Sequence, residues 1–196
     1  MAKKPKIAIV GRPNVGKSTL FNKLSGKRAS IVDQVEGVTR DRVYSSAEWL
    51  SQEFNIIDTG GYVSSNEDIF NEKIKVQISA ALEECNGIIF LVDGKDGLNP
   101  NDQFLSKIIR KSGKKFVVGV NKCDTPEHDI RKDQFFDMGL ENPIPISALN
   151  GAGVGDMLDN LFELIDFSII SQSNDNTDYS IAIVGMPNVG KSSLLN

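Results

Sequence analysis

The chain has 196 residues, 40% of them hydrophobic and 24% charged, with a net charge of −4. That balance supports one ordinary core and excludes a generally basic nucleic-acid footprint, leaving only Lys3, Lys4 and Lys6, and Lys111, Lys114 and Lys115, as small clusters that read as solvated surface. Cys85 and Cys123 are too few for a disulfide framework, and GIIFLV and FVVGV are too short to span a bilayer, so a soluble cytoplasmic protein with no membrane partner is expected.

The opening MAKKPKIAIV is basic and then apolar, but the apolar run is too short for a signal peptide and leads straight into Gly11. Ile7–Val10 is the first predicted strand. It feeds a GxxxxGK[ST] spacing, and a helix is expected next, the setting in which this spacing cradles phosphate. The loop Gly11, Arg12, Pro13, Asn14, Val15, Gly16 is predicted to wrap phosphate oxygens. The helix that opens at Lys17, Ser18 and Thr19 adds partial positive charge. Lys17 is expected to reach the β- and γ-phosphates, and Ser18 Oγ to bind Mg²⁺.

Residues 27–46 lack clear periodicity, which in a compact domain marks a functional or mobile stretch. A strand at Phe54–Ile57 then delivers DTGG: Asp58, Thr59, Gly60 and Gly61. Asp58 is placed to hold Mg²⁺ through water, and the Gly61 N–H to touch a γ-phosphate. Ile74, Ile78, Ala81 and Leu82 share one helix face. Ile88–Val92 is a strand, and Phe104, Leu105, Ile108 and Ile109 share the next helix face.

The strand Phe116–Val120 ends in NKCD. The Asp124 carboxylate can accept both N1–H and N2–H of guanine. Adenine offers neither donor there, so such a site rejects it by roughly 10⁴. Lys122 is expected to lay its stem over the base, and Asn121 to tie this loop to the phosphate loop. A weaker strand at Ile144–Ile146 precedes Ser147, Ala148 and Leu149, where the Ala148 N–H is expected to meet the guanine carbonyl oxygen. His128, the sole histidine, reads as a surface residue. Val154, Leu158, Leu161 and Ile165 mark the last helix. Strands alternating with helices predict a doubly wound α/β domain, its mainly parallel sheet covered on both faces and its ligand at the C-terminal strand ends.

In this order the motifs resemble the Ras-like GTPase superfamily, over residues 6–166. The resemblance implies the Ras-like P-loop fold, GTP and GDP as ligands, Mg²⁺ at Ser18, Thr39 and Asp58, and Thr39 of EGVTRDR as the switch threonine. Many such GTPases place a Gln directly after DxxG to orient water, whereas Tyr62 stands here, so slow unaided hydrolysis is expected. GxPNVGKS resembles the TrmE–Era–Der group, whose P-loop Asn helps bind K⁺. That implies K⁺ at Asn14 and a catalytic set of Lys17, Asn14, Thr39 and Gly61.

Residues 7–22 recur at 181–196 with thirteen of sixteen identities and a constant offset of 174. A whole GTPase domain has that length; a solenoid repeat does not. The tandem is similar to the Der (EngA) GTPases, which carry two GTPase domains and a KH-like domain and act in large ribosomal subunit assembly. QVEGVTRDR departs from that family's switch text at Glu36, where Pro is usual. The expected organisation is a GTPase domain at 1–167, an Asn/Ser-rich linker at 168–179, and at 180–196 the start of a second domain. The second P-loop (Gly185, Asn188, Gly190, Lys191, Ser192) is expected to be idle in this chain, and the second GTPase and KH-like domains to be missing. By the resemblance alone, ribosome or ribosomal RNA is a partner. The alternatives are a slow-hydrolysing GTP/GDP conformational switch, or a related GTPase of tRNA modification.

Overall fold

A computed structural model describes residues 4–26, 43–59, 78–124, 135–136 and 142–165. In chain order these residues form β1 (Lys6–Val10), α1 (Lys17–Ser25), β2 (Val43–Trp49), β3 (Gln52–Asp58), β4 (Gly87–Asp93), α2 (Pro100–Lys111), β5 (Lys115–Asn121), β6 (Ile144–Pro145) and α3 (Val154–Leu164). A further helical stretch covers residues 78–84.

The strands make one six-stranded sheet, in the order β2-β3-β1-β4-β5-β6. All neighbours pair in parallel except β2 with β3. The apolar runs are continuous because both faces are covered: every residue of β4 is buried. Successive side chains go to opposite layers. Ile7, Ile9, Ile89 and Leu91 pack with Leu20 and Phe21 of α1 and with Met157, Leu158 and Leu161 of α3. Ala8, Val10, Ile88, Phe90 and Val92 pack on the other side with Ile78, Ala81, Leu82, Leu105 and Ile109. The doubly wound arrangement is therefore present, with helices on both faces.

Local chemistry sets the helix ends. Asn99 caps α2, its side chain accepting the Asn101 N–H at 2.9 Å, and Pro100 takes the first helical position. α1 has no side-chain cap and no acidic residue in its first turn, so no side chain of its own N-terminus serves its first N–H groups.

One expectation is corrected. The stretch without periodicity was bounded at 46, yet Val43 to Ser46 begin β2. This edge strand buries only Ala47 fully, so it carries no apolar run. It turns into β3 through Leu50 and Ser51, with φ of 48° and 64°. Paired positive φ values suit a tight hairpin but favour Gly or Asn, and neither residue announces this one. Trp49 Nε1 fastens β2 to α3 by donating to Asp159 Oδ1 at 2.7 Å. Among the described residues, no helix is long and apolar enough to cross a membrane. Ile74, His128, the linker at 168–179 and the second P-loop lie outside the described residues.

Candidate functional site

Four motifs converge on the C-terminal edge of the sheet. The strand order places β1 between β3 and β4, so the loop after β1 opens at the point where the chain reverses its direction of winding. Gly16 has φ 97°, and a Cβ there would run into Asn121 Nδ2. A Cβ on Gly11 would run into the Leu91 carbonyl. Asn14 adopts φ 65° with its side chain exposed, and Val15 is buried. Pro13 is half-buried and Thr19 exposed.

Lys17 is only 7% exposed, and its Nζ donates to the Arg12 carbonyl at 2.8 Å. Burial pushes its ammonium down to about 8, against the opposing pull of Asp58. Ser18 Oγ donates to Asp58 Oδ2 at 3.0 Å, which brings together two of the three oxygen groups expected at Mg²⁺. Thr59 Oγ1 donates to the Ile9 carbonyl at 2.8 Å, so that hydroxyl pins the end of β3 to β1.

Asn121 joins the two halves of the site. Its Nδ2 donates to the Val15 carbonyl at 2.7 Å, tying the base loop to the phosphate loop as expected. Its Oδ1 accepts the Ala148 N–H at 2.8 Å. That N–H was expected to face a guanine carbonyl oxygen; here it serves Asn121, and a base contact would have to share it. Asp124 Oδ1 accepts Ser147 Oγ at 2.8 Å. Leu149 is 73% exposed at the rim. Lys122 has φ 68°, and its ammonium pairs with Asp93 Oδ2. Thr39, Gly60, Gly61 and Tyr62 lie outside the described residues.

Three acidic residues escaped the sequence reading. Burial alone would raise the Asp93 carboxyl, but Lys122 and the N–H groups of Asp96 and Lys95 hold it below the usual range. Asp102 is fully buried and accepts Arg12 Nε at 3.3 Å, while Arg12 also pairs with Asp96 at 2.9 Å. Burial pushes Asp102 up to about 6 in spite of Arg12. The available signal for Asp93 was a charge closing the apolar run GIIFLVD at the strand end where the four motifs gather.

The uncapped helix, the buried lysine and the base loop linked by Asn121 make this a P-loop nucleotide-binding domain. Residues 6–122 match the model of the 50S ribosome-binding GTPase family, and the chain belongs to that family. It is similar to GTPase Der of Clostridium kluyveri, 51% identical over 194 residues that cover 98% of this chain and 44% of that protein. GTPase Der of Macrococcus caseolyticus is 50% identical over 195 residues, with the same 98% and 44%. The chain thus spans less than half the length of these curated relatives. Among solved structures, Era in complex with MgGDPNP and a piece of 16S ribosomal RNA gives a TM-score of 0.67 at 29% identity, covering 85% of this chain and 58% of that one. The G domain of the T. maritima FeoB iron transporter gives 0.58 at 25% identity, covering 83% and 99%.

Proposed function

We propose that the chain binds GTP and GDP, hydrolyses GTP with Mg²⁺, and serves a Der-like role in assembly of the large ribosomal subunit. The observation that carries this reading is the Asn121 bridge, which sets the Asp124 carboxylate and the phosphate loop in one site. Ser18 and Asp58 offer a hydroxyl and a carboxylate oxygen 3.0 Å apart. Hard oxygen donors of this kind suit Mg²⁺, with phosphates completing its shell. Bound there, the ion would neutralise charge on the phosphates. Lys17 adds a buried positive charge beside it, and the α1 N-terminus adds N–H donors. In this reading Thr39 and the Gly61 N–H complete the γ-phosphate contacts, and Asn14 holds K⁺. Residues 180–196 would begin a second GTPase unit after the linker, as the repeat of residues 7–22 suggests. The ribosomal role rests on the family and on likeness to GTPase Der and to Era.

Phosphate release from GTP in Mg²⁺ buffer tests the activity. Release is expected to be slow, because Tyr62 replaces a water-orienting Gln, and faster in KCl than in NaCl. Equal rates in the two salts would refute the K⁺ site. Single-turnover release at background level, even in KCl, would favour the conformational switch over the enzyme.

Lys17 adds a pH test. In the free protein its proton leaves through about pH 8. Anionic phosphates hold the ammonium charged, so binding takes up a proton above that pH and none below it. GDP affinity is therefore expected to be level below pH 7.5 and about fourfold lower at pH 8.5 than at pH 7. Titration with a fluorescent GDP measures this; a flat profile refutes the assignment.

A further inference from the structure

β4 ends in a turn built on one carboxylate. Asp93 Oδ1 accepts the N–H groups of Lys95 at 2.9 Å and of Asp96 at 3.2 Å. The Gly97 N–H donates to the Asp93 carbonyl at 3.0 Å, and the Gly94 N–H to the Asn121 carbonyl at 2.7 Å. Asp93 Oδ2 is paired with Lys122, so the turn and the base loop are clasped at two points. From this turn the Lys95 side chain reaches the base loop, with Nζ 2.8 Å from Asp124 Oδ2. Lys95 is half-exposed, and the Asp124 side chain is 29% exposed.

A carboxylate has about four lone-pair positions, two on each oxygen. Ser147 takes one on Oδ1 and Lys95 takes one on Oδ2, so each oxygen is held from a different side. Recognition of guanine needs two acceptors in one plane, for N1–H and N2–H. We propose that Lys95 is a positioning residue for base recognition: anchored by the turn on Asp93, it works with Ser147 to hold the Asp124 carboxylate in the orientation that pairs with guanine. The inference rests on the guanine-binding reading above. A long surface lysine ordinarily gains little from an ion pair, because ordering the side chain opposes the attraction. Here the backbone of Lys95 is already held, and its partner is fixed from the other side by Ser147.

The test uses the whole chain with fluorescent GDP and GTP, and thermal melting as a check on folding. Lys95→Ala is expected to melt as the parent does and to weaken GDP and GTP by the same factor, about fivefold. Lys95→Arg restores affinity. In an Asp124→Asn background, read with xanthosine diphosphate, the factor changes, because Lys95 acts through the residue already replaced. Unchanged guanine nucleotide affinity overturns the inference. So does tighter binding, which would make Lys95 a competitor for Asp124, and so does the same factor in both backgrounds. If the parent chain binds no GDP, the guanine reading itself falls, and this inference with it; binding by the parent with no effect of Lys95→Ala sinks this inference alone.

Discussion

An Asp124→Asn protein is expected to lose guanine nucleotide affinity by roughly 10²- to 10⁴-fold and to turn toward xanthosine nucleotides. The carboxylate supplies two acceptors to N1–H and N2–H, each a hydrogen bond to a charged group and worth about 1.5–3 kcal/mol. An Asn amide keeps one acceptor and aims a donor at a donor. Xanthine carries an oxygen where guanine carries its amino group, so the same amide fits it. The fold should be little affected, because Asp124 lies at the rim and Asn can still accept Ser147 Oγ. Competition of GDP and xanthosine diphosphate against a fluorescent nucleotide measures the exchange. Unaltered GDP affinity would place the base elsewhere.

Asn121→Ala should damage stability and binding together. Asn121 is 4% exposed, and it satisfies the Val15 carbonyl and the Ala148 N–H in the interior. Removing its side chain strands both groups, at about 1–3 kcal/mol each. A fall in melting temperature of roughly 5–15 °C is expected for a domain of this size. The phosphate loop and the base loop also lose their link, so GDP affinity should drop by about 10- to 100-fold. Thermal melts without nucleotide and a GDP titration separate the two effects. A destabilised protein with unaltered GDP affinity would show that the bridge serves the fold alone.

Much of this site was legible because its chemistry is written in contiguous residues. The P-loop spacing demands Gly16 at positive φ and Lys17 at the first turn of a helix, and both are found there. Asp58 and Asn121 close apolar strands, and Ser147 lies two residues past the end of β6, so their places at one edge followed from the parallel sheet. Less was legible where the signal is not local. β2 was missed because an edge strand with one buried residue has no periodic apolar pattern, and its hairpin uses Leu50 and Ser51 instead of Gly or Asn.

Chain order alone was enough to place the P-loop, the strand ends where the motifs gather and the two layers of core, because each depends on spacing within a few residues. Contacts between distant segments belong to the folded chain. Arg12 finds Asp102 across 90 residues, Asn121 finds Val15 across 106, and Lys95 finds Asp124 across 29. No spacing rule ties such pairs together; the sheet does, by bringing the ends of β1, β4, β5 and β6 to one edge, where burial raises the cost of every unpaired polar group. Burial pushes the Lys17 ammonium down, while Lys122 and two backbone N–H groups hold the Asp93 carboxyl below its usual range against burial, distinctions that residue type cannot carry.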